Sequence, residues 1–122
     1  MINCLSDNFV FLGTDSTERW EMKEFEQYAR ERFSKGSSWT YKMIKRNVTK
    51  IADSFFIFDE ELQNEYLGTC RSTGSIIRNE GSLKLAQYSL SVPIPNDLVL
   101  GFVEKIRSFE DSVKIKEEKV IK

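Results

Sequence analysis

Asp59, Glu60 and Glu61 stand together at the end of an apolar run, Ser54 to Phe58, and form the chain's densest group of candidate acids and bases. Successive side chains of a strand point to opposite faces, so Asp59 falls with Phe55 and Ile57, and Glu60 with Phe56 and Phe58. If the Phe55–Ile57 face lines an enclosed space, Asp59 is a carboxylate in apolar surroundings, where desolvation favours its neutral form. Such a group suits removal of a proton beside a carbonyl. The competing reading is structural: Asp59 pairs with Arg71 or ends the strand, because ion pairs are commoner than catalytic bases.

Arg71 lies in a run of small residues, Thr69 to Ser75, on the following strand. A strict two-residue loop between the strands sets residue 70 opposite Asp59, whereas a bulge at Gly68, which we favour, sets Arg71 there. Its guanidinium suits a ligand carboxylate or carbonyl oxygen, or equally an acidic neighbour. Trp20, Trp39 and Tyr41 offer large amphipathic surfaces to a flat apolar ligand, although at least one tryptophan is expected in the core. Tyr88 falls with Ala86 and Leu90 in the core or at a dimer surface, which leaves Gln87 and Ser89 to point polar atoms inward. Asp15 reads as a capping residue and Cys70 as a buried thiol.

The 122 residues contain no histidine, which removes the commonest general base, Ser–His and Cys–His pairs, and most transition-metal sites. No cofactor or metal is expected. With 18 Lys and Arg against 19 Asp and Glu, the net charge of −1 provides no electrostatic reason to bind nucleic acid. No apolar run approaches the roughly 20 residues of a membrane span, and Met1 to Phe9 lacks the basic start and apolar run of a secretory signal. Cys4 and Cys70 form no metal or disulfide pattern, so the reducing cytoplasm is the expected compartment. The sequon at Asn47 to Thr49 carries no meaning without secretion.

The elements that must position these groups follow from periodicity. Asn8 to Gly13 reads as a short strand. Met22, Phe25, Ala29 and Phe33 recur at three- and four-residue steps and predict an amphipathic helix over 20–33, ended by Lys35 to Ser38. Strands are predicted over 39–48, 54–63, 66–78 and 83–92, with a turn at Asn64-Glu65 and a hairpin at Asn79 to Ser82, which makes an antiparallel meander. Pro93 and Pro95 cannot donate ladder hydrogen bonds, so pairing should fail there, and a last helix begins near Asn96. Leu98, Phe102, Ile106, Phe109 and Val113 form its stripe, with Val99 and Val103 widening it. Residues 113–122 read as a charged, frayed tail of a single domain, 1–122.

FLGTD at 11–15, Trp20, GSSWTY at 36–41, FDEEL at 58–62, RSTG at 71–74 and QYSLSVPIPND at 87–97 resemble, in order, the SnoaL-like branch of the nuclear-transport-factor-2-like (ketosteroid isomerase-like) superfamily. The resemblance implies an α+β fold: a curved antiparallel sheet wrapped around helices as a cone, with a pocket inside. It also implies frequent dimers, and a host fold for isomerases, cyclases, dehydratases and a kinase association domain, so it supplies a pocket and not a reaction. Two departures stand out. Related chains carry one or two helices before the strand matching FVFLGTD, where eight residues precede Phe9 here, so one side of the cone is expected to be open or covered by the last helix or a second chain. Related chains also place histidines near Asn47 and Ser89.

The expected function is binding of a small, largely apolar molecule, with Asp59 as base or orienter and Trp20, Trp39, Tyr41, Arg71, Gln87 and Ser89 as ligand contacts. Isomerase- or cyclase-like chemistry without metal is the catalytic version. The alternative is a non-catalytic homodimeric module with a vestigial pocket.

Overall fold

A computed structural model of the chain describes residues 4–34 and 41–121; Trp39 and the expected helix stop at 35–38 lie outside them. The element order is β1 (Leu5–Leu12), β2 (Arg19–Glu21), α1 (Met22–Ser34), β3 (Tyr41–Ala52), β4 (Phe55–Asn64), β5 (Gly68–Asn79), β6 (Ser82–Ser91) and α2 (Asn96–Ile121). The strands form one curved, unclosed sheet in the order β2-β1-β6-β5-β4-β3. β3 to β6 are the expected antiparallel meander, while β1 runs parallel to β6, so the sheet is mixed. Trp20 belongs to β2 rather than to the helix, because Arg19 to Glu21 pair with Leu12 to Val10 before the chain turns into α1.

Local chemistry explains the turns. Asn64 Oδ1 accepts hydrogen bonds from the Tyr66 and Leu67 amides at 2.8 and 3.0 Å, which closes a three-residue loop and pairs Asn64 with Gly68. At the next hairpin Glu80 and Gly81 both have positive φ, 52° and 79°, and Asn79 pairs with Ser82. That is the mirror-image turn whose twist matches the flanking strands. β6 stops at Ser91, where Pro93 and Pro95 remove ladder donors, and α2 starts at Asn96 as the sequence predicts. The helix then runs through the expected tail to Ile121.

The packing of α1 decides which side of the sheet is the inside. Phe25 of α1 lies 5.2 Å from Phe9 and 5.1 Å from Phe11 between ring centroids, so the β1 face bearing those two phenylalanines is the inner one. Register carries that face across the sheet, from Phe11 to Tyr88, Gly74, Phe58 and Val48. Phe9 is 1 % exposed, and Leu5, Leu62 and Cys70 are the other buried apolar residues among those described. α1 packs mainly on β1 and β2, and no described element packs along α2. The inner face is therefore open toward β3, where Met43 and Val48 are exposed.

Gly74 marks the tightest point of this face. A Cβ there would sit 2.5 Å from the Phe58 ring and 2.6 Å from the Gln87 carbonyl oxygen. The ring could swing aside, but the backbone oxygen cannot without moving the β5–β6 ladder. Gly74→Ala should therefore lower stability by about 1–3 kcal/mol, read as a shifted denaturation midpoint at unchanged slope. A neutral effect would show that β5 and β6 are further apart than described.

Candidate functional site

Glu60 is the group around which the inner face is organised. It is only 7 % exposed, and both of its oxygens are engaged. Arg46, directly opposite on β3, donates from Nε at 2.9 Å and approaches with Nη2 at 2.7 Å, both to Oε2. Ser72, directly opposite on β5, donates from Oγ to Oε1 at 2.9 Å. The hydroxyl of Tyr88 on β6 shares a hydrogen bond with Ser72. Since Ser72 has one proton and gives it to Glu60, its oxygen accepts from Tyr88. A polar line thus crosses four strands: Tyr88 to Ser72 to Glu60 to Arg46.

Aromatic residues form the rest of the wall. Phe11 stacks on Tyr88 at 6.1 Å and on Trp20 at 5.6 Å, and Trp20 meets Tyr28 of α1 at 4.5 Å. Phe58 approaches Tyr88 at 6.3 Å from the other side. Arg32 caps this end, donating from Nε to the Tyr28 hydroxyl at 2.9 Å. The register shift between Met43 and Lys45 inserts one extra residue, and it leaves Tyr41, Met43 and Arg46 on the inner face together.

The sequence-predicted site residues divide between the two faces. Trp20 and Tyr41 are half-buried on the inner face; Trp39 lies outside the described residues. Asp59, Arg71, Gln87 and Ser89 lie on the outer face, away from α1, and the first three are exposed. Asp59 shares a face with Phe55 and Ile57 as expected, but that face is the outside. Its Oδ1 accepts from Asn47 Nδ2 at 3.0 Å. The three-residue loop pairs Asp59 with Thr73, so Arg71 sits opposite Glu61 instead. Tyr88, expected in the core or at a dimer surface, faces the inner side, while Gln87 and Ser89 face outward. Asp15 does cap, but within the β1–β2 loop: Oδ1 accepts from the Thr17 amide and hydroxyl, which holds its carboxyl below the usual range.

Glu60 and Arg46 went unnoticed as a pair because β4 begins apolar on both faces, which conceals the inside. The available signal was parity: Glu60 shares a face with Phe58, and Phe58 with Tyr88. Burial also shifts three protons. It raises the pKa of Tyr88, with Glu60 adding to the effect, and raises that of Tyr41. Burial likewise raises the Cys70 thiol, which sets it apart from activated nucleophiles. Two depressions are visible on the surface: a cleft of about 670 Å³ between β1 and the start of α1, and a shallow one of about 140 Å³ by Asp59 and Arg71.

The curved sheet with a helix against its inner face, and a polar line set in aromatic walls, places the molecule in the nuclear-transport-factor-2-like class of α+β cones. The SnoaL-like domain model matches residues 1–95, and the chain belongs to that family. No curated protein matches it. A cystatin-like-fold domain of unknown function from Nostoc punctiforme is similar at 9 % identity and TM-score 0.66, over 96 % of this chain and 82 % of that one. An NTF2-like protein of unknown function from Pseudomonas putida is similar at 13 % identity and TM-score 0.62, over 78 % and 72 %. A proposed ketosteroid isomerase from Parabacteroides distasonis is similar at 16 % identity and TM-score 0.59, over 77 % and 74 %. No described helix is long and apolar enough to cross a membrane.

A tyrosine whose proton is held more tightly in the folded chain stabilises the fold fully below the ordinary tyrosine value of 10.0. That contribution is lost as pH rises through the higher folded value. Raising the pH from about 9 to about 11 should thus lower the denaturation midpoint of the wild type more than that of Tyr88→Phe. Parallel decline of the two would rule out a tightly held Tyr88 proton.

Proposed function

We propose that this protein binds a small, largely apolar molecule bearing a carbonyl or carboxylate oxygen on the inner face of its sheet. The observation that carries this reading is the asymmetry of the Arg46–Glu60 pair: the Glu60 side chain is 9 % exposed and that of Arg46 54 %. A nearly buried carboxylate holds a guanidinium in place, and that guanidinium still has donors to spare. Nε and one Nη2 proton serve Glu60, which leaves three N–H groups for a ligand oxygen. Phe58 and Tyr41 share this face on β4 and β3, and Phe11, Trp20 and Tyr28 continue the flat apolar wall toward the opposite edge of the sheet.

Catalysis is less well supported than binding. In an isomerase- or cyclase-like reaction Glu60 would act as the base, yet Arg46 and Ser72 already occupy both of its oxygens. Receiving a substrate proton would require one of them to let go. The likeness to a proposed ketosteroid isomerase is a likeness of fold, and it fits a pocket without fixing a reaction. Homodimeric assembly, in the reducing cytoplasm that two free cysteines suit, completes the reading. The dimeric-module alternative draws its support from α2, along which no described element packs.

The test uses an anilinonaphthalenesulfonate dye, an apolar aromatic carrying an anionic oxygen group, as probe. Wild type should bind it saturably, and Arg46→Met should weaken binding about 10- to 100-fold, the range for a hydrogen bond to a charged group. Arg46→Lys should recover part of the loss, and Arg71→Met should leave affinity unchanged. Equal loss in Arg71→Met, or none in Arg46→Met, would remove the inner face as the binding site. Glu60→Gln, with circular dichroism retained, should weaken dye binding by less than Arg46→Met does, because the amide oxygen still accepts from Arg46.

A further inference from the structure

Two apolar surfaces of this chain are exposed among the described residues. The first is the stripe on α2. At 100° per residue, Leu98, Phe109, Phe102, Val113, Ile106 and Val99 fall within about 100° of one another. Leu98 is 55 % exposed, Phe102 44 % and Phe109 66 %. The second is the open part of the inner face, where Val48 is exposed opposite Phe58, with Met43 exposed toward one end of the strands and Leu83 toward the other.

The link between body and helix argues against α2 covering its own sheet. Only Val92 to Pro95 join Ser91 to Asn96. Pro93 and Pro95 each fix φ near −65° and push the residue before them toward extended conformations, so this link is a stiff spacer and not a reversal. α2 accordingly projects from its own body without packing along any described element. A stiff proline link beside an unpacked terminal helix is the arrangement from which two copies exchange elements.

We propose that α2 of each copy lies across the inner face of a second copy, so that two chains exchange helices about a two-fold axis and each closes the other's chamber. Six exposed residues give the stripe on the order of 500 Å² of apolar surface per helix, and two such helices, with the sheet surface each would cover, approach the ~1,600 Å² total of a standard interface. The amphipathic helix in an apolar groove is a common recognition mode. The inference stands independently of the ligand reading, since it needs only the open face and the unpacked helix.

Light scattering on the full chain tests it. Wild type at about 100 µM should run as a dimer, twice the mass of one 122-residue chain. Phe102→Glu with Phe109→Glu, and separately Leu83→Glu, should each raise the dissociation constant on the order of thirtyfold while leaving circular dichroism unchanged. Reciprocity adds a sharper readout. In a mixture of the two variants, the intact α2 of one meets the intact inner face of the other, so mixing should recover a weaker dimer. A monomeric wild type would overturn the proposal, as would a dimer insensitive to the α2 changes or variants that never complement on mixing. Dye binding that persists in monomeric variants would leave the ligand reading intact, which keeps the two failures apart.

Discussion

The contact of Phe25 with Phe9 and Phe11 orients everything else in this molecule. β1 alone presents two faces, and nothing intrinsic to an open sheet says which is inside. Once α1 seats one aromatic ring against two on β1, the pleat propagates that choice strand by strand, because directly paired residues share a face. Tyr88, Ser72, Glu60 and Arg46 are inside for this reason alone. A one-residue slip in the β5–β6 ladder would send Ser72, Glu60 and Arg46 into solvent and bring Asp59 and Arg71 inward.

The inner face combines two kinds of energetics. The aromatic end contributes area burial with favourable ring geometry. The polar end is a connected chain in which each buried member has a partner, and no buried side-chain nitrogen or oxygen among the described residues is left without one. Such a network specifies geometry more than it adds stability, since a partly desolvated ion pair gains little against its desolvation cost. Its consequence here is a guanidinium held still at the edge of an apolar surface, which is a useful arrangement for binding and an awkward one for proton abstraction.

The fold leaves more apolar surface uncovered than a chain of this size would be expected to tolerate alone. Four apolar residues are buried among those described, while α2 and the β3 edge carry many of the exposed large hydrophobic side chains. The inner face is open toward β3, and α2, an obvious candidate to cover it, does not pack along the described part of its own sheet. Covering that surface with a second copy reconciles the two observations without any new element.

By itself the sequence determined the elements and their order, except for β2, whose Trp20 it read as the start of α1. Two-residue alternation marked the meander, three- and four-residue spacing marked both helices, Glu80-Gly81 with its neighbours marked a hairpin, and the prolines marked the end of β6. These are local properties, set by side-chain periodicity and backbone sterics, and ordered motifs along the chain sufficed to indicate the family. Which carboxylate sits inside was decided only by tertiary structure. Asp59 and Glu60 are adjacent on a strand that starts apolar on both faces, and parity separates them without saying which is buried. That depended on where α1 packs and on a loop of three residues instead of two at Glu65 to Leu67, both of them long-range outcomes. The exposure of α2 was equally illegible, because an amphipathic stripe states that a helix needs a partner but not which chain provides it.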